Sequence, residues 1–205
     1  MRAPAAIALL FSSTAAGASL ADEGNRPSLL TPIAPIAIGA DDDAPRSPTF
    51  GVAGTARFVA GIRGAQDFEE NTDVSLFAQQ TWFVVDDVEI GAELAGWWIF
   101  QDDDTWGVAS SLVVRYHFYQ QPTWSVYAEG GIGLFIAADN VPDDGTSFGL
   151  MPRIGVGTSM RIDDRDTRLM LGIHWHHISN ARLNGEARNP ARDAVGLYAA
   201  IAVPI

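Results

Sequence analysis

From Gly51 onward, apolar and polar residues alternate with a period of two, in runs closed by clusters of Asp, Asn, Pro or Gly. In an extended chain successive side chains point to opposite faces, so this pattern predicts strands with two unlike faces. Eight runs can be counted, over 51–63, 74–85, 88–100, 105–119, 123–137, 146–162, 167–179 and 193–205. An even number of strands suits a closed antiparallel sheet, which leaves no edge unpaired.

The composition of the two faces says what surrounds the sheet. In the fourth run Trp106, Val108, Leu112, Val114, Tyr116 and Phe118 share one face and Arg115 and His117 the other. In the third, Val88, Ile90, Ala92, Leu94 and Trp98 oppose Glu89 and Glu93; in the sixth, Phe148, Leu150, Ile154, Val156 and Met160 oppose Arg153, Ser159 and Arg161. A soluble barrel turns its apolar face inward, whereas a barrel in a bilayer turns it outward. Arg57, Glu89, Glu93, Arg115, Glu129, Arg153, Arg161 and Arg168 are therefore expected inside, where opposite charges must pair to offset their desolvation. The predicted fold is all-β, an eight-stranded antiparallel up-and-down transmembrane β-barrel.

Connection lengths agree with that reading. Short turns at 86–87, 120–122 and 163–166 alternate with longer stretches near 64–73, 138–145 and 180–192, and 101–104 is modest. Bacterial barrels put short turns in the periplasm and longer loops outside, so both termini are expected in the periplasm. Trp82, Trp97, Trp98, Trp106, Trp124 and Trp175 fall towards run ends, where aromatic girdles form.

Composition adds location and excludes several functions. Met1-Arg2, the apolar stretch Ala5 to Phe11 and Ser19-Leu20-Ala21 follow the order of a secretory leader, giving residues 1–21 as a signal peptide. Residues 22–50, with Pro27, Pro32, Pro35, Pro45, Pro48 and Asp41-Asp42-Asp43, read as a flexible arm. Residues 51–205 form the barrel. The formal net charge is −12 and every basic residue is Arg, which excludes an ordinary nucleic-acid binder. There is no Cys, hence no disulfide framework or thiol chemistry.

Chemistry concentrates in the last two runs. Leu169, Leu171, Ile173 and Trp175 share the lipid face, and the same parity continues through His177 and Ser179. Asp193 is in phase with Val195, Leu197, Ala199, Ile201, Val203 and Ile205, so a hairpin joining 179 to 193 brings His177, Ser179 and Asp193 together near the outer rim. A serine hydroxyl is a weak nucleophile until an imidazole takes its proton, and an acid fixes the imidazole's tautomer. His174 and His176 have the opposite parity and are expected as interior hydrogen-bonding groups. With four His in the chain and His117 elsewhere, no metal centre is expected.

The stretch His177-Ile178-Ser179-Asn180-Ala181, the following Asn189-Pro190 and the closing strand resemble the lipid A 3-O-deacylases of the PagL type, with further likeness from Gly145-Thr146-Ser147-Phe148 through Gly155-Val156-Gly157. The resemblance implies an outer-membrane esterase that removes the 3-O-linked hydroxyacyl chain of lipid A, the acyl-bearing anchor of lipopolysaccharide, without a cofactor. It implies Ser179 as nucleophile, His177 as general base and Asn180 as oxyanion-hole contributor. Where that family has its acid this chain has Ala191; Asp193 takes the place, with Glu186 as alternative. Arg182 stands where the family has a small residue, and either changes a backbone oxyanion donor or contacts a lipid phosphate. Assembly as a homodimer is left open. The alternative function is a non-catalytic outer-membrane barrel with a structural or adhesin role; a porin ranks last, since eight strands leave an interior filled by side chains.

Overall fold

All eight alternating runs become strands in a computed structural model whose described residues are 51–183, 185 and 189–205. The expected signal peptide over 1–21, the arm over 22–50 and Glu186 lie outside the described residues. The strands are β1 (Ala56–Asp67), β2 (Thr72–Val85), β3 (Val88–Phe100), β4 (Thr105–Gln120), β5 (Trp124–Val141), β6 (Thr146–Arg161), β7 (Arg168–Ile178) and β8 (Arg192–Pro204). Each pairs antiparallel with the next, and β8 closes on β1 through Arg57↔Pro204 to Asp67↔Ala194, so no strand is left as an edge.

Burial follows the predicted alternation. In β4 every second residue from Trp106 to Phe118 faces out, while Ser111, Arg115 and His117 are buried. Leu112 is 67% exposed and Leu197 64%, values that make sense only for a surface covered by lipid. Trp98 pairs with Trp106 at one end, with Trp175 also near that end, while Trp82 and Trp124 lie at the other. Trp97 departs from the expected girdle: its parity points it into the lumen, where it is 2% exposed beside His176.

The interior is a charged plug. Glu93 accepts from Arg63 and from both terminal nitrogens of Arg153, and Arg115 bridges Glu89 and Glu129. Arg57 and Arg168 both meet Asp166 at the turn end. Arg161, expected inside, is only half-buried because it sits at the last turn-end pair, Arg161↔Arg168. At mid-barrel the hydroxyls of Tyr127 and Tyr198 lie 2.5 Å apart over Gly157 and Gly172, where a Cβ would come within 2.6 Å of Tyr198 Oη.

Several boundaries differ from the expected ones. β1 begins at Ala56, since Gly51 and Gly54 take positive φ (72° and 86°) and make a turn of what alternation alone reads as strand. The loops after β1 and β5 shrink to 68–71 and 142–145, because Asp67, Thr72 and Val141 continue the ladders past the apolar band. The connection 179–191 remains long. At the opposite end the hydrogen bond from the Thr167 side chain, and after it the backbone hydrogen bonds from Thr167 and Arg165, hold the Asp163 carboxyl below the ordinary range.

Candidate active site on the lipid-facing wall

The last two strands place the candidate groups through register alone. β7 and β8 pair Trp175↔Val195, His176↔Ala194 and His177↔Asp193, so His177 and Asp193 stand opposite each other with outward parity. His177 Nδ1 lies 3.0 Å from Asp193 Oδ1, and His177 Nε2 lies 2.9 Å from Ser179 Oγ. In the neutral imidazole one ring nitrogen donates and the other accepts; an Nδ1–H bound to the carboxylate leaves Nε2 to accept from the serine hydroxyl. The His177 and Asp193 side chains are 24% and 35% exposed, open to a ligand approaching from the lipid side.

Ser179 is itself anchored. It exchanges two backbone hydrogen bonds with Leu150 of β6, at 3.2 Å from its N–H and 2.7 Å to its carbonyl, just past the end of β7. The chain then turns through Ala181 and Arg182, both with positive φ (52° and 64°). Two consecutive non-glycine residues in this region cost on the order of 1–2 kcal/mol each and need outside support. Asn180 supplies it: buried at 3% exposure, its Oδ1 accepts from the Arg182 N–H at 2.9 Å and its Nδ2 donates to Thr146 Oγ1 at 3.1 Å.

The Arg182 backbone N–H also donates to Asn189 Oδ1 at 3.1 Å, so it is committed to holding the loop. Its side chain is exposed beside the site. Ala191 is exposed at the loop's return, while Asp193 falls opposite the histidine. The alternative acid, Glu186, lies outside the described residues. His177 is thus within hydrogen-bond reach of both Ser179 and Asp193, with Asn180 next in the chain and its side chain turned to Thr146 and Arg182.

His176 faces the lumen as expected and meets Asp73 at 3.0 Å. His174 differs from the expected hydrogen-bonding role: it stacks on His176 with centroids 5.6 Å apart and packs near Tyr198. Among the described residues no three His, Asp or Glu side chains converge so as to hold a metal ion. Sequence reasoning missed Asp73, Arg192 and Thr146. The alternating runs leave Asp73 in a loop and Arg192 just before its strand, although Asp73 shares its parity with Ser75 and Gln79.

A shallow apolar groove of about 770 Å³ crosses the outer wall below this site, lined by Gly64, Val156, Leu171, Ile173 and Leu197 among others. Gly64 faces outward with nothing where its side chain would be, which deepens the wall at that point. Ile173 is ~13 Å along β7 from His177, taking four residues at the strand rise.

Comparison with known proteins identifies a family and a fold. The family model for lipid A 3-O-deacylase (PagL) matches residues 68–202. Among solved structures, the outer-membrane enzyme PagL superposes with a TM-score of 0.55 at 17% identity, covering 72% of this chain and 99% of that one. Neisserial surface protein A gives 0.54 at 14% identity (73% and 95%), and the N-terminal barrel domain of Pseudomonas aeruginosa OprF gives 0.50 at 17% (73% and 98%). At these identities the likeness shows the fold. No curated protein matches the chain.

Proposed function

We propose a reaction from the premise of family: the chain belongs to the lipid A 3-O-deacylases (PagL) and is an outer-membrane barrel, and we infer that it hydrolyses the 3-O-linked hydroxyacyl ester of lipid A by a Ser-His-acid mechanism. The observation that carries this reading is the hydrogen-bonded series Asp193–His177–Ser179 on the lipid-facing wall. By the loop-length rule, the end bearing the 179–191 connection faces outward. The site then lies in the leaflet where lipid A resides, and the substrate never has to leave the bilayer.

Ser179 Oγ attacks the ester carbonyl while His177 Nε2 takes its proton, and Asp193 stabilises the imidazolium that forms. The tetrahedral oxyanion needs a donor aimed at it, a role assigned here to Asn180, next in the chain. Collapse expels the sugar 3-oxygen, which takes the proton back from His177. Water, activated by the same imidazole, then releases the hydroxy acid from Ser179. The detached acyl chain fits the apolar groove, and the exposed Arg182 is suited to a charge-assisted contact with a lipid phosphate.

The test is mass spectrometry of lipid A from cells expressing wild type or Ser179→Ala, with heat-modifiable gel mobility establishing that both barrels fold. Loss of one 3-linked hydroxyacyl group with the wild type alone is expected. Unchanged lipid A with a folded wild type would overturn the reading in favour of a non-catalytic barrel.

A further inference from the structure

The end of β8 that carries Asp193 has no ladder on its β1 side, and the end of β7 beside it is tied to β6 through the Leu150↔Ser179 bridge. The pairing of β8 with β1 stops at Ala194↔Asp67, so Arg192 and Asp193 extend beyond it, and Ile178↔Arg192 is the last pair with β7. Ends of this kind open locally unless other contacts hold them.

Those contacts lie on the lumen side of the same strands. Asp73 of β2 accepts from Arg192 Nη2 at 2.6 Å and from Arg192 Nε at 3.3 Å, and its Oδ2 lies 3.0 Å from His176 Nε2. Arg192 Nη1 reaches Asp67 of β1 at 3.1 Å. The Asp73, Arg192 and His176 side chains are at most 1% exposed. By alternation Arg192 precedes Asp193 and His176 precedes His177, so a single buried carboxylate grips both strands from the face opposite the outward pair. Its fork with Arg192 is bidentate, which fixes angle as well as distance.

We propose that Asp73, Arg192 and His176 are positioning residues: from inside the barrel they set the spacing of β7 and β8 at the rim and keep Asp193 in register with His177. This rests on the proposed reaction. It explains how a carboxylate at the start of a strand, just after a long loop, is held at hydrogen-bond distance from its imidazole. A displacement of about 1 Å is enough to cost on the order of 100-fold in rate.

The test compares wild type with Asp73→Asn/Arg192→Met, which neutralises both partners together, while Asp67 keeps its hydrogen bonds from Glu69 and Asn71. A control, His117→Phe/Ser125→Ala, removes another buried pair (3.0 Å) near the turn end. Four readouts are taken in detergent: heat-modifiable mobility, kcat and KM on a chromogenic acyl ester, phosphonate labelling of Ser179, and the downfield proton resonance of His177 Nδ1, assigned through Asp193→Asn. The double variant is expected to fold, to lose on the order of 10–100-fold in kcat with KM little changed, and to lose the resonance, while the control keeps both. A folded double variant with wild-type kcat and resonance overturns the proposal, as does a wild type lacking the resonance. If wild type hydrolyses no ester, the proposed reaction fails, and the resonance alone still decides the positioning. Should the double variant not fold, Arg192→Lys keeps the charge without the fork; wild-type kcat and resonance there overturn the proposal equally.

Discussion

His177 touches Asp193 with one ring nitrogen and Ser179 with the other, so the acid decides which nitrogen is free to take the serine's proton. Asp193→Asn should preserve heat-modifiable mobility but cut kcat on the order of 10³–10⁴-fold, because an amide can stabilise the wrong tautomer and carries no charge. The same paired measurement checks the left-handed turn beyond the serine. Ala181→Val should lower the rate of phosphonate labelling at Ser179, since a β-branched side chain opposes φ 52°, while Ala181→Gly should keep it. The barrel's mobility should be unchanged in both. At this scale His177, Ser179 and Asp193 were legible because a strict period of two transfers facing from one residue to the next. Asp73 and Arg192 were not: their contact crosses from β8 to β2, and pairing across a lumen appears in a sequence only once closure is known.

β4 is the clearest element, with an outward stripe from Trp106 to Phe118 that alternation identifies without help. Its depth in the bilayer gives a graded expectation. Leu112→Arg, mid-strand and 67% exposed, should destabilise the barrel by about 2–4 kcal/mol, whereas Phe118→Arg, near the turn end, should cost about 0–1 kcal/mol. Urea titration of refolding in lipid vesicles measures both, and equal effects would argue against a bilayer-facing stripe. Strand ends were less legible than strand middles. Past the apolar band both faces of a strand meet water, so the alternation that marks Ser75 or Phe135 gives no signal at Asp67, Thr72 or Asp139, although the ladders or the strands continue there. At Gly51–Thr55 the pattern overstates the strand instead, since Val52 and Ala53 mimic the start of one that two positive-φ glycines turn into a corner.

Closure of β8 on β1 makes the lumen a single compartment, and its charges then have only one another to answer to. Glu93 is the centre of that arrangement, between Arg63 and Arg153, with side chains no more than 2% exposed. Glu93→Leu strands the Arg63 guanidinium and leaves Arg153 with Glu129 alone at 3.5 Å, and should cost about 3–5 kcal/mol by urea titration, the usual penalty for breaking a buried pair from one side. Converting Glu93, Arg63 and Arg153 together to apolar residues of similar volume should recover most of that loss. The recovery would separate the cost of an unpaired charge from any intrinsic need for ions inside the barrel. The same plug closes the axis to ions. With Arg115, Glu129, Tyr127, Tyr198, Phe135 and Met151 all buried within the sheet, purified barrel in a planar bilayer should show no steady conductance. Stable porin-like channels would mean that the lumen opens in lipid. That result would also loosen the wall on which Asp73 and Arg192 stand, tying the whole molecule's closure to the spacing of His177 and Asp193.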